Sequence, residues 1–461
     1  METAQPYRPH PRILELGEGF YDPVSPAIFP AATPRFLNHR AAAEVGLGET
    51  DWEAHFARFE PLPDNLPQPL ALRYHGHQFR HYNPDLGDGR GFLFAQLRDG
   101  PSSKRGRGRL LDLATKGSGQ TPWSRRGDGR LTLKGGVREV LATEMLEALG
   151  VETSRSFALF ETGEALVRGD EPSPTRSAVL TRLSHGHIRI GTFQRLAFFE
   201  DAEGLRALTA YVLANLFDMP ADAGAERLLE LVCQRTARLA ASYIAAGFVH
   251  GVLNSDNINV TGESFDYGPW RFAPTWDEGF TAAYFDEGGL YAFGRQPEAI
   301  QWDVAQLGGC LTLIADGPSL AALLGEWPQL FEAALIPALL KRLGIAPRNE
   351  ADDRALGSAL LAALRGRKVG IDRLFFDWRG GRDPGGSDYA APAFDALRLA
   401  LVGRERPLAH PYWSDQAPCS MLIKEVEAIW AAIAERDDWG PFEAKIAAIR
   451  RMGDAMDSDA A

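Results

Sequence analysis

The run His250-Gly-Val-Leu-Asn254-Ser-Asp256-Asn257, followed after a short gap by Asp266-Tyr-Gly268, is the densest group of side chains in this sequence that could do chemistry. A long helix should end near Gly247. Two short apolar pieces, residues 258–260 and Phe265, then bracket a turn, which would bring Asn257 and Asp266 together at the mouth of a hairpin. An amide oxygen beside a carboxylate suits a hard cation such as Mg²⁺ carried on phosphate oxygens. A single loop Asn or Asp more often closes an Asx-turn or caps a helix. Four such groups in this order, preceded by His-Gly and followed by Asp-Tyr-Gly, outweigh that reading.

The spacing from His250 to Asn257 equals that of the kinase catalytic loop H-R-D-x-x-x-x-N, and Asp266-Tyr-Gly stands where D-F-G would stand. Where a kinase keeps its proton-accepting aspartate, this chain has Val252, which accepts none. Asp256 is the carboxylate of the loop able to take that part. Upstream, Lys116 closes a strand and Glu139 lies in the first turns of the next helix, the kinase order of strand lysine and helix glutamate. An ion pair between them would hold the ammonium over phosphates. Separately, each would pass for a surface lysine and a glutamate favoured by the positive end of a helix dipole.

Two copies of Gly-Asp-Gly-Arg flank Lys116, one at Gly87, Asp88, Gly89 and Arg90, the other at Gly127, Asp128, Gly129 and Arg130. Glycine lets backbone amides approach an anion, and the arginine fork fits phosphate oxygens. Paired around Lys116 they suggest a triphosphate cradle, although a lone Gly-rich loop is usually a tight turn with solvated arginines. The Arg-rich tip at residues 104–109 is read as a solvated loop. Arg182 and Arg189 flank Ser184-His185-Gly186-His187. The pairs His75/His77 and His185/His187 lack a third ligand, so structural parts are expected for them.

The elements that must position these residues divide into two groups. Residues 1–70, rich in proline and with little periodicity, read as an extended arm containing one short helix at 51–58. Strands follow at 91–98 and 110–116 as a hairpin, then a helix at 137–149 and strands at 156–159, 164–167 and 178–183. Helical periodicity dominates afterwards, at 205–217, 225–246, 302–315, 320–343 and 352–364. A small β-rich unit thus precedes a larger α-rich one.

At 461 residues, 45% hydrophobic and 24% charged, the chain has the composition of a folded soluble protein with room for several domains. A net charge of -12 disfavours nucleic acid and anionic lipid as partners. The three cysteines, Cys233, Cys310 and Cys419, form no CxxC pair, which fits a reducing compartment. The first thirty residues lack the pattern of a signal peptide, and residues 239–255 are too polar to span a membrane. A cytoplasmic monomer is expected.

Longer motifs carry a resemblance. Tyr74-His-Gly-His-Gln-Phe79, Pro84-Asp-Leu-Gly-Asp-Gly-Arg90, Lys116-Gly-Ser-Gly through Arg130, Val179-Leu-Thr-Arg182, the His250 to Asn257 loop, Asp266-Tyr-Gly-Pro269 and Tyr291-Ala-Phe-Gly-Arg-Gln-Pro297 resemble the selenoprotein O family of pseudokinases, also called the protein adenylyltransferase or YdiU family. The similarity covers roughly residues 15–305 and fades beyond about 370. It implies an α+β, protein-kinase-like two-lobed fold: an arm at 1–70, a β-rich N-lobe at 71–190, a mostly helical C-lobe at 191–395 and a helical extension at 396–461.

It also implies that ATP sits reversed, so that AMP is transferred to Ser, Thr or Tyr hydroxyls of proteins with Mg²⁺ or Mn²⁺. Gly87, Gly89, Arg90, Lys116, Asp128, Gly129, Arg182 and Arg189 would contact the nucleotide. Asn257 and Asp266 would hold the metal, Glu139 would pair with Lys116, and Asp256 would accept the proton. Relatives usually read K-G-A-G and M-N-T-D-N where this chain has Lys116-Gly-Ser-Gly and Leu253-Asn-Ser-Asp-Asn, changes that leave each charged group in place. The stretch between Arg90 and Lys116 is longer than usual. Some relatives end in a selenocysteine- or cysteine-containing tail, whereas this chain ends Met456-Asp-Ser-Asp-Ala-Ala461; Cys419 is the nearest thiol and is expected buried. Alternatives of other kinds are ordinary phosphoryl transfer, UMP transfer with Mn²⁺, and a nucleotide-binding scaffold without turnover.

Overall fold

Residues 6–100, 108–169, 171–365 and 368–458 are described by a computed structural model of the chain. Residues 104–107 of the arginine-rich tip and 459–461 of the tail lie outside them. The strands, in chain order, are β1 (Tyr21–Pro23), β2 (Thr33–Leu37), β3 (Leu70–Leu72), β4 (Gly76–Gln78), β5 (His81–Asn83), β6 (Leu93–Arg98), β7 (Leu110–Lys116), β8 (Leu131–Thr132), β9 (Arg155–Leu166) and β10 (Thr175–Ser184). The main sheet runs β1-β3-β6-β7-β10-β9-β2, with β8 pairing β10, and the registered pairs are antiparallel. Every residue of the central strand β7 is buried.

The amino-terminal segment does more than wrap this sheet, because it supplies both edges. β1 pairs β3, and β2 pairs β9. Both strands are short and carry proline, Pro23 and Pro34, which a sheet tolerates at its edges and which hid them from a search for strand periodicity. The expected short helix is present as Trp52–Phe56, capped by the Asp51 side chain. A further short helix, His39–Glu44, follows β2.

The helix after β8, Leu133–Ala148, is the third in chain order and is called α3. It starts four residues before the periodicity suggested, because Thr132 caps it and Leu133 is fully buried, whereas Gly135 and Gly136 blank the apolar pattern. Val137, Val140, Leu141 and Met145 are completely buried under the sheet, each burial contributing about 1.5–3 kcal/mol. A Cβ at Gly136 would stand 2.5 Å from Leu159, so glycine sets how closely α3 approaches β9. The separate strands expected at 156–159 and 164–167 are one continuous strand, β9.

Past β10 the chain is mostly helical, apart from its loops and a two-stranded antiparallel ladder of β11 (Phe248–Val249) with β12 (Arg271–Phe272): α4 (Ile190–Phe198), α5 (Ala202–Leu216), α6 (Ala225–Ala246), α7 (Gln296–Leu311), α8 (Gly317–Gly325), α9 (Trp327–Leu343), α10 (Glu350–Leu364), α11 (Ile371–Asp377), α12 (Ala393–Leu401), α13 (Ile423–Arg436) and α14 (Gly440–Ser458). The single helix expected at 320–343 is two, because Pro328 sits in the first turn of α9 and has no N–H to continue α8. α13 and α14 return to pack on α3. Among the described residues no helix is long and apolar enough to cross a membrane.

Candidate active site

β7 ends in Lys116, a buried ammonium. Its Nζ donates to Glu139 Oε2 of α3 at 2.5 Å and lies 3.5 Å from Asp266 Oδ1. The next strand, β10, supplies Arg182, whose Nη1 is 2.7 Å from the same Asp266 oxygen and 3.3 Å from Glu139 Oε1. Arg189, just before α4, donates to Asp266 Oδ2 and to the Asp256 carbonyl oxygen, both at 2.8 Å. One carboxylate therefore meets three cations from three elements. Burial alone would raise the Asp266 carboxyl, but Arg182, Lys116 and Arg189 hold it well below the usual carboxylate range. Its backbone is left-handed at φ 61°, a conformation seldom taken by residues other than glycine.

The loop ahead of Asp266 does not form the expected hairpin mouth. Asn259 bridges to Arg189 and Ser264 to Thr153, so the two flanks attach to different partners. His250 acts as a brace: its Nε2 lies 2.9 Å from the Phe265 carbonyl oxygen, and its backbone N–H donates to Gln296 Oε1. Asn254 Oδ1 accepts from the Tyr291 hydroxyl at 2.7 Å and the Phe79 N–H at 3.0 Å. Asn257 donates its Nδ2 to the Val252 carbonyl oxygen at 2.9 Å, which keeps its amide oxygen as a donor atom for a ligand.

Asp256 sits on a single turn of 3₁₀ helix, Ser255–Asn257, with Oδ1 buried and without a hydrogen-bond partner. Burial, opposed by Arg189, pushes its carboxyl up to about 6. Such a group is ionised at neutral pH yet basic enough to take a proton.

A cavity of about 830 Å³ opens over these groups. Its walls include Gly87, Gly89, Arg90, Lys116, Asp128, Gly129, Arg182, Arg189, Asp256, Asn257 and Asp266, so the residues singled out in the sequence converge on one space, with Glu139 fully buried behind Lys116. Arg90, Arg125 and Arg126 line it too, and among the described residues no carboxylate pairs with them. Unpaired guanidinium forks around a lysine make a receptor for phosphate oxygens.

The two Gly-Asp-Gly-Arg copies behave differently. Asp88 turns inward, where Oδ2 accepts from the Leu72 N–H at 3.0 Å and Oδ1 lies 3.3 Å from Arg189. Asp128 turns outward into a two-bond pair with Arg168 at 2.8 and 3.1 Å, which leaves it at the rim. Tyr74 also lines the cavity, a side chain that sequence reading did not single out. With Phe265 it encloses the Arg189 guanidinium, at 4.4 and 4.7 Å from the ring centres. Its place in Tyr74-His-Gly-His was the available signal.

The histidine pairs have local partners. His75 Nδ1 lies 2.7 Å from the Tyr82 hydroxyl, His77 Nδ1 2.6 Å from Gln194 Nε2, and His187 Nδ1 3.3 Å from Asp112; the His185 N–H donates to Glu263. Cys233 and Cys310 are buried free thiols, whereas Cys419 is only half-buried. Among the described residues no group of three or more His, Cys, Asp or Glu side chains is placed to hold a metal ion. Asn257 and Asp266 offer oxygens of the kind Mg²⁺ takes, an ion that commonly uses one or two protein oxygens and completes its shell with phosphate and water, while both Asp266 oxygens here accept from Arg182 and Arg189.

Comparison with known proteins gives a consistent picture. The profile of the family described as "Protein adenylyltransferase SelO" matches residues 5–395. A protein of Synechocystis sp. named "Protein nucleotidyltransferase YdiU" is 40% identical over 461 aligned residues, covering 94% of this chain and 95% of that protein. Proteins of the same name from Gloeobacter violaceus and Trichormus variabilis are 42% and 38% identical, over 96% of this chain in each case and 94% and 96% of theirs.

Proposed function

This chain belongs to the SelO family of protein adenylyltransferases and is a nucleotide-transferring enzyme, and we propose that it moves AMP from ATP to Ser, Thr or Tyr hydroxyls of proteins. In this reading the sheet-rich and helical regions are the two lobes of a kinase-like fold, divided as 71–190 and 191–395, with the arm and the helical extension outside them. ATP lies with its α-phosphate toward Asp256. The observation that carries the reading is Asp256 itself. It is a buried carboxyl with a free oxygen, on the wall of the cavity that holds Lys116 and Asp266, in a loop whose kinase base position is Val252.

The acceptor hydroxyl attacks the α-phosphorus in line and passes its proton to Asp256, and pyrophosphate departs. Lys116, fixed by Glu139, and Arg182 and Arg189, fixed by Asp266, hold positive charge where the phosphoryl oxygens gain negative charge. Arg90, Arg125 and Arg126 take the outer phosphates. Asn257 and Asp266 would hold Mg²⁺ or Mn²⁺, which would neutralise charge on the triphosphate. Val252 speaks against the kinase arrangement, because no carboxylate stands where the kinase base would be.

The reading is tested by parallel reactions with ATP labelled at the α- or γ-phosphate and a protein acceptor. Label transferred from the α-position alone is expected. Label from the γ-position alone would make the chain a kinase.

A further inference from the structure

The segment 277–291, which follows Asp266-Tyr-Gly, folds back onto the catalytic turn. A Cβ at Gly251 would lie 3.0 Å from the Ala282 methyl, so this segment and the Val252 turn are in contact. It is an ordered loop: Asp286 is buried and accepts from the Leu290 and Tyr291 N–H groups, both at 2.8 Å. At its crest the loop nevertheless holds two aromatic side chains in water. Tyr284 is 84% exposed and Phe285 47% exposed, their rings 5.1 Å apart edge to face. Phe285 gives part of its ring to Phe79, but Tyr284 leaves its ring in water at the crest of a braced loop, and exposed aromatics of this kind mark binding surfaces.

A second observation leads to the same place. The β4–β5 hairpin turns through Phe79 and Arg80, whose φ values of 49° and 62° are left-handed without glycine. Strain of this sort persists where surrounding contacts enforce it, and it concentrates at functional sites. Here the Phe79 N–H is held by Asn254, and its ring meets Tyr291 at 5.0 Å and Phe285 at 5.8 Å. Arg80 is held by Glu298 and by the Trp302 ring. The strained tip thus connects the exposed pair to Asn254, two residues from Asp256. Gln78 of the same hairpin lines the cavity, whereas Tyr284 and Phe285 lie beyond its walls.

We propose that Tyr284 and Phe285 form the docking platform for the acceptor, and that the acceptor is a polypeptide segment carrying a basic side chain near its hydroxyl. The inference rests on the proposed transfer to protein hydroxyls. A small acceptor filling the cavity would leave the platform uncovered, so the occupant must continue past the cavity mouth as an extended chain does. Its charge follows from the loop: Asp277 and Glu287 are exposed, among the described residues neither is paired with a cation, and the Tyr284 ring offers a face to an ammonium or guanidinium. Glu278, by contrast, is already paired with Arg365.

The test uses α-labelled ATP with two acceptors, a lysine-rich histone and an acidic casein, on the full chain and on Tyr284→Ser, Tyr284→Ser/Phe285→Ser and Glu287→Lys. The wild type is expected to prefer the basic acceptor. Each variant should raise the KM for that acceptor, the double variant by at least tenfold, while the KM for ATP stays within twofold. Tyr284→Ser removes a side chain already in water, so its folding is safe even where the double variant loosens Phe79. An unchanged acceptor KM, a parallel rise in the KM for ATP, or preference for the acidic acceptor would each overturn the inference. Absence of α-label on any acceptor with the wild type would instead overturn the transfer reading beneath it.

Discussion

Arg450 of α14 grips Glu144 of α3 through two hydrogen bonds, 2.7 and 2.9 Å long, across 306 residues of chain. Glu144 is nearly buried, and Glu139, the partner of Lys116, lies a little over one turn away on the same helix. Lys134, on the first turn of α3, reaches Glu427 of α13 at 2.8 Å. The carboxy-terminal helices, beyond the 5–395 span matched by the family profile, therefore brace the helix that positions the buried lysine. Arg450→Ala should destabilise the chain by about 2 kcal/mol, since it strands a buried carboxylate. Urea titration measures this, and charge-swapped Glu144→Arg/Arg450→Glu should recover part of the loss.

Asp256→Asn keeps the shape of the side chain and removes its proton affinity. AMP transfer should fall by about 10²–10⁴, with the dissociation constant of ATP changed less than threefold in a fluorescence titration. Transfer at the wild-type rate would dismiss Asp256 from the reaction.

The same residue links stability to pH. Its folded carboxyl is raised to about 6 from 3.8, chiefly by burial, so the native state binds the proton more tightly than the unfolded state. The group is neutral in both states below the unfolded value. As pH rises from about 4 through 6 its contribution turns unfavourable, by up to about 3 kcal/mol. Asp256→Asn should accordingly stabilise the chain at pH 8 and leave it nearly unchanged at pH 4, as followed by thermal melts at both values. The activity limb below about pH 6 should be absent from any residual transfer by this variant.

Arg189→Lys preserves the charge but removes the planar fork that joins Asp266, Asp88 and the Asp256 carbonyl while lying between Tyr74 and Phe265. Loss of at least two of those contacts, at roughly 1–2 kcal/mol each, should reduce kcat/KM by at least tenfold. Steady-state kinetics on AMP transfer would show it, and retention of full activity would mean that charge alone suffices there.

Local chemistry made the site legible. That Lys116, Glu139, Asp256, Asn257 and Asp266 would come together could be expected from residue type and spacing, because the kinase-type order of strand, helix and loop is written in short motifs. The details that depend on distant packing were not. Nothing within Gly-Asp-Gly-Arg distinguishes Asp88, drawn inward by Arg189 from a hundred residues away, from Asp128, drawn outward by Arg168. The start of α3 was masked by two glycines, of which Gly136 makes room for Leu159 of β9 and Gly135 for Leu131 of β8. The edge strands carried proline and too few residues to show alternation, and the break between α8 and α9 hinged on a single proline inside a continuous apolar pattern.

β1 and β2 occupy the two edges of the main sheet, and whereas β1 finds its partner β3 nearby in the chain, β2 waits for a distant one. Thr33 pairs with Glu161, so β2 has no seat until β9 has been made and folded against β10. Until then the growing sheet exposes a ladder of unsatisfied amides to any neighbouring strand. Closing that ladder from within the same chain spares the finished molecule an aggregation-prone border, at the cost of a slow, non-local final step. Loss of the first forty residues should accordingly be felt as clumping of nascent chains, long before any effect on turnover could be measured.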